Sequence, residues 1–192
     1  CHRLTIEAWA TVVGTSERDE RTGWERLCAA IGAEGFTREA YDAAYLAQDR
    51  SNRDTLPPLP GVVALADALV TAGVPLAIAS SSHLEWLDRH ISRLGLDRHF
   101  PVLVGADLVG GVGKPAPDVY LRACALLGAD PRRAVALEDS SHGVAAAHAA
   151  GMAAVAVPGR VTASHDVSAA ELVVGSLEDV TVADLAALVA DR

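Results

Sequence analysis

From Val62 to its end this 192-residue chain alternates two patterns: short apolar runs, and stretches whose apolar residues recur every third or fourth position. Apolar runs bounded by turn residues read as buried strands, and a 3.6-residue period reads as a helix. Strands that alternate with helices need crossover connections, which give a parallel sheet covered on both faces. The pattern predicts helices over Val62 to Ala72, Pro117 to Leu127 and Val144 to Ala150, the last closed by Gly151. Leu84, Leu87, Ile91 and Leu94 mark the inner stripe of another helix, and a terminal helix is expected from about Val182. Strands are predicted over Val74 to Ala79, Val102 to Val104, Arg133 to Leu137, Ala153 to Val157 and Leu172 to Val174. The fold class expected is α/β, a Rossmann-like doubly wound parallel sheet.

Ahead of that region, Leu4 to about Leu56 reads helical and polar, with Trp24, Leu27, Cys28 and Ile31 at helical spacing and Tyr41, Ala44 and Tyr45 likewise. The run Ser51-Asn52-Arg53-Asp54, followed by Leu56-Pro57-Pro58-Leu59-Pro60-Gly61, has the composition of a linker. A boundary near Pro57 divides the chain into a small helical unit, 1–57, and an α/β unit, 58–192. The length suits one full domain with an accessory piece.

A net charge of −9 gives no basic surface for a phosphate backbone, and 4% aromatic residues leave little for base stacking, so no nucleic-acid partner is expected. Cys1, Cys28 and Cys124 lie far apart without a paired motif, which suits a reducing compartment and buried apolar roles. No run of about 18 apolar residues marks a membrane span, and no secretory signal pattern opens the chain. A cytoplasmic location without membrane contact is the expectation.

In doubly wound sheets ligands bind beyond the carboxyl ends of the strands, so the residues after each strand carry the information. Ser80, Ser81 and Ser82 follow the first predicted strand, where hydroxyls and N–H groups either hold an anion or simply cap the next helix. Glu138 and Asp139 follow the third. Two adjacent carboxylates beyond a buried apolar strand need a compensating cation, and Mg²⁺ suits them, since it takes one or two carboxylates plus water and phosphate oxygens. The other reading is that Asp139 or Ser140 caps the helix opened by His142-Gly143, with His142 structural. Between these sites stands Lys114, the only lysine beside fifteen arginines. It is held in Gly113-Lys114-Pro115-Ala116-Pro117-Asp118, a loop stiffened by two prolines at a helix start. Lysine is a compact charge on a flexible stem that reaches a single oxygen where arginine's planar fork would not fit. Hydroxyls, lysine and an acidic pair at one end of a sheet are what phosphoryl transfer needs.

These residues resemble the haloacid dehalogenase superfamily, in particular its β-phosphoglucomutase-like phosphatase branch. Ile78-Ala79-Ser80-Ser81-Ser82 is similar to its second motif and Gly113-Lys114-Pro115-Ala116-Pro117-Asp118-Val119-Tyr120 to its third. Leu137-Glu138-Asp139-Ser140, with Gly143 and Ala150-Gly151-Met152, is similar to the fourth. Ala8-Trp9-Ala10-Thr11-Val12-Val13-Gly14-Thr15 resembles the middle of a helical cap, which makes 1–57 a partial cap. The resemblance implies a Mg²⁺-dependent phosphomonoester phosphatase acting on a small phosphorylated metabolite, as monomer or homodimer. In it Ser80 and Ser81 bind phosphate, Lys114 acts catalytically by linking phosphate to the nucleophile, and Glu138 and Asp139 hold the metal.

The family's first motif, an Asp-x-Asp-x-Thr run that supplies the nucleophile, is nowhere in these 192 residues. The strand bearing it belongs at the centre of the sheet, between the strands ending at Ser80 and Leu137. Two edges would then lack partners, each unsatisfied group costing about 1–3 kcal/mol if buried. The expected explanation is an N-terminally truncated version of an enzyme, inactive by itself. Two alternatives stand beside it: a catalytically inactive relative that binds a phosphorylated ligand or a partner, and a sugar phosphomutase. Gly14-Thr15-Ser16-Glu17, with Arg18 one place on, puts glutamate near where the mutases carry arginine and so favours the phosphatase.

Overall fold

Pro75, lacking an N–H, sets where the first strand can begin: β1 covers only Ala77–Ala79, two residues past it, although the apolar run starts at Val74. The computed structural model describes residues 57–159, 162–190 and 192. The cap-like segments quoted above therefore lie outside the described residues. The chain divides into two units, residues 1–57 with 159–164 and residues 58–158 with 165–192, and every described helix and strand belongs to the second.

In order, these are α1 (Val62–Thr71), β1, α2 (Leu84–Arg93), β2 (Val102–Val104), α3 (Asp118–Leu127), β3 (Val135–Glu138), α4 (Ser141–Ala149), β4 (Ala153–Ala156), β5 (Leu172–Val173) and α5 (Val182–Ala187). Short 3₁₀ turns stand at Ala106–Val109, Pro131–Arg133 and Leu177–Asp179. The alternation matches expectation, and the shifts at element ends have local causes. Arg133 is taken into the turn that Asp130 closes by accepting the Arg132 N–H, so β3 starts at Val135 and runs through Glu138. Ser140 accepts the Gly143 N–H and starts α4 at Ser141, three residues before the apolar pattern begins. Thr181 and Asp184 form a reciprocal capping box on α5.

All described strand pairs are parallel, but the described strands form two sheets rather than one: β1 with β2, and β3-β4-β5 with β4 in the middle. The division falls between β1 and β3, where the resemblance places the strand of the first motif, and no described strand stands there. Among the described residues no ladder joins the two.

Side-chain alternation assigns the layers. Ala154 and Ala156 of β4 and Ala136 of β3 join Val104, α3 (Val119, Tyr120, Ala123, Cys124) and α4 (Val144, Ala146, Ala147) in one apolar cluster. Val155 points to the other face, with Leu65 and Leu69 of α1, Val180 and Leu185. The covering thins towards the division: Leu137 on β3 is 38% exposed, a large apolar side chain left partly in water beside the open edge.

Candidate active site

The carboxyl ends of β1 and β3 open on opposite sides of the division, and the loop carrying Lys114 spans it. Ser80 N–H donates to the Val104 carbonyl at 2.9 Å, extending the β1 ladder by one residue, and Ser80 Oγ accepts the Ser82 N–H at 3.1 Å. Ser81 turns the other way. Its Oγ accepts the Lys114 backbone N–H at 3.0 Å, which ties the Lys114 loop to the end of β1. Gly113 allows this approach, because a Cβ there would stand 2.9 Å from Ser81 Oγ. Asp107 holds the same region from behind by accepting the Leu84 N–H at 2.9 Å, at the start of α2.

From that anchored backbone the Lys114 side chain reaches across to β3. Its Nζ donates to Glu138 Oε1 and lies 3.2 Å from the Tyr120 hydroxyl, over whose ring it sits at 4.7 Å from the centroid. Tyr120, on the first turn of α3, donates its own hydroxyl to the same Glu138 oxygen. The pair is largely out of water, the Lys114 side chain 15% and the Glu138 side chain 6% exposed. Desolvating two ions costs several kcal/mol each, and a buried pair recovers this only with good geometry and further hydrogen bonds. Tyr120 supplies one. Its hydroxyl is held well above the usual tyrosine range, by burial first, then by the Glu138 charge and hydrogen bond, then by the Asp139 charge.

The Glu138 carboxylate rests on Gly143. A Cβ at that position would fall 1.7 Å from Glu138 Oε2 and 2.1 Å from its Cδ, so any other residue would push the carboxylate out. Asp139, next along the chain, is exposed, and Ser140, not Asp139, caps α4. The two carboxylates thus divide: Glu138 is buried and engaged by Lys114, and Asp139 faces outward. As a donor set they fit a hard divalent cation that takes one or two carboxylates and fills its shell with water and phosphate oxygens. Among the described residues no cluster of three or more His, Cys, Asp or Glu forms a self-sufficient metal cage.

Ser80, Ser81, Lys114, Glu138 and Asp139 therefore collect at one end of the two sheets. Tyr120, Gly143 and Asp107 also hold this region, and the sequence reading gave them no role. Tyr120 and Gly143 had a visible signal as members of the quoted third and fourth motifs, and Asp107 had none.

Residues 6–151 match the haloacid dehalogenase-like hydrolase family, and the chain belongs to it. It is 43% identical over 103 residues to the putative phosphatase YhcW of Bacillus subtilis, covering 54% of this chain and 46% of YhcW. It is 38% identical over 105 residues to hexitol phosphatase B of Escherichia coli, covering 55% of this chain and 47% of that enzyme. The chain thus spans about half the length of these curated relatives. Its fold is that of CbbY from Rhodobacter sphaeroides, solved as a variant in complex with xylulose-(1,5)bisphosphate. That superposition has a TM-score of 0.69 at 24% identity and covers 94% of this chain and 91% of CbbY. Among the described residues no helix is long and apolar enough to cross a membrane.

Proposed function

We propose that this chain is part of a Mg²⁺-dependent, cytoplasmic phosphomonoester phosphatase acting on a small phosphorylated metabolite. The observation that carries this is the meeting of Ser81, Lys114 and Glu138 at the carboxyl ends of β1 and β3, beside a division in the sheet wide of any described strand. A strand in that division would end next to Lys114, and a carboxylate at its end would be the nucleophile. Its oxygen attacks phosphorus, the ester P–O bond breaks, and the leaving oxygen takes a proton from a general acid outside these residues. Water then attacks the phosphorus, returning a proton to that general acid, and the P–O bond to the carboxylate breaks, which releases inorganic phosphate and restores the enzyme.

This chain's residues have defined parts in that scheme. Ser80, Ser81 and the Lys114 ammonium hold phosphate oxygens, with Lys114 also facing the nucleophile. Glu138 and Asp139 are the carboxylates for the metal, which when bound would offset the negative charge of phosphate and nucleophile. Residues 1–57 are proposed as part of the cap domain that the resemblance implies.

The test is release of inorganic phosphate from a panel of sugar, polyol and nucleotide monophosphates by the full-length protein with Mg²⁺. Turnover that falls at least 100-fold in Lys114→Ala is expected. Equal release by wild type and variant would overturn the assignment. The absence of an Asp-x-Asp-x-Thr run from these residues favours a second reading, a binding protein without turnover. That reading predicts thermal stabilisation by a phosphorylated ligand and no phosphate release from the full-length protein.

A further inference from the structure

Lys114 and Glu138 are an ion pair with a third member, and the third member is the part that the proposed chemistry does not itself require. The Tyr120 hydroxyl donates to Glu138 Oε1 while accepting from Lys114 Nζ at 3.2 Å, and its ring lies beneath the ammonium at 4.7 Å. Gly143 closes the other side of the carboxylate. Lysine's flexible stem would otherwise let the ammonium follow any nearby anion, and a glutamate at a strand end has rotamers of its own. We propose that Tyr120 is a positioning residue of this site: it fixes one oxygen of Glu138 and seats Lys114 beside it, so that ammonium and carboxylate stand in place before phosphate and metal arrive. Preorganised groups of this kind need no rearrangement at the moment of reaction. Residues that orient a metal-binding carboxylate commonly carry 10- to 100-fold of metal affinity or activity.

The inference rests on Lys114 and Glu138 being functional, and its test separates the two claims. Tyr120→Phe keeps the buried ring and its contact with the ammonium and removes only the hydroxyl. Lys114 is the only lysine among these 192 residues, so in full-length protein labelled with ¹⁵N at the lysine side chain its ammonium signal is assigned by its loss in Lys114→Arg. The expected result in Tyr120→Phe is a shifted and broadened Lys114 signal, about tenfold weaker Mg²⁺ binding by calorimetry, and kcat reduced about tenfold with little change in KM. Val119→Ala, in the same helix turn and fully buried, is the structural control. It should lower the melting temperature and leave the Lys114 signal where it was. An unchanged Lys114 signal and unchanged Mg²⁺ binding in Tyr120→Phe would overturn the positioning role, whatever the activity. Altered signal and metal binding in a protein that turns over no phosphate would keep that role and overturn the phosphatase reading instead.

Discussion

The two halves of the sheet are built from the same kinds of residue and are not equally finished. In the three-stranded half every residue of β4 is fully buried, with Ala154 and Ala156 packed against α3 and α4 on one face and Val155 against α1 and α5 on the other. In the two-stranded half all three residues of β1 are only part-buried, although Ala77-Ile78-Ala79 is as apolar as Ala153-Ala154-Val155-Ala156. Composition therefore does not account for the difference. Neighbours do: β4 has a strand on each side, whereas β1 has one. The open edge is also where the candidate site lies, and Lys114 spans it, its backbone tied to Ser81 and its ammonium to Glu138.

That link gives the largest expected effect. Lys114→Met and Glu138→Gln should each destabilise the protein by about 3 kcal/mol, because each leaves a buried partner uncompensated. The double variant should lose clearly less than their sum, a coupling read from urea unfolding. Strict additivity would show that the link across the division carries nothing. Next is the contrast in packing. Ala156→Leu, in the finished half, should cost about 2 kcal/mol through overpacking, while Ala79→Leu beside the open edge should cost well under half of that. Equal losses would break the comparison.

A smaller, pH-dependent effect belongs to the finished half alone. Burial pushes the Glu171 carboxyl up, but the Ala154 N–H, His148 and Arg192 outweigh it and hold the carboxyl down at about 2, against an ordinary 4.5. A depressed carboxylate stabilises the fold above its unfolded value and loses that contribution as pH falls through the folded value. Stability should therefore drop between about pH 4.5 and 2, by on the order of 1–2 kcal/mol after screening. Glu171→Gln should flatten that part of the profile. The smallest effect is expected at Asp67, whose carboxyl is lowered chiefly by its hydrogen bond from buried His99, 2.7 Å away. Asp67→Asn should reduce the melting temperature slightly at neutral pH and not at all once pH lies below the folded value of Asp67.

Among the described residues strands and helices were legible in the sequence because each depends on a local period, and the five described strands stand where apolar runs end in turn residues. Their ends were less legible, since Pro75 withholds a backbone donor and the Asp130 and Ser140 side chains each accept a backbone N–H, none of which periodicity registers. The division of the sheet was legible too, but only through the resemblance and the motif it lacks. At the site, the residue types were readable and their partners were not. Lys114 was expected on phosphate and Glu138 on metal, and in the structure the two hold each other, a contact made across 24 residues of sequence. Tyr120 and Gly143 stood in the quoted motifs, but what they touch comes from close approach between α3, β3 and α4, which no spacing rule encodes.

The division has a consequence for the order in which the molecule assembles and comes apart. β1 and β2 are joined through α2, and β3 and β4 through α4, so each half closes its own crossover using residues near in sequence. No ladder among the described residues commits one half to the other. Contiguous units of this kind open separately under native conditions. Amide hydrogens of β4 should then exchange last and those of β1 and β2 markedly earlier, two levels of protection within one apolar core.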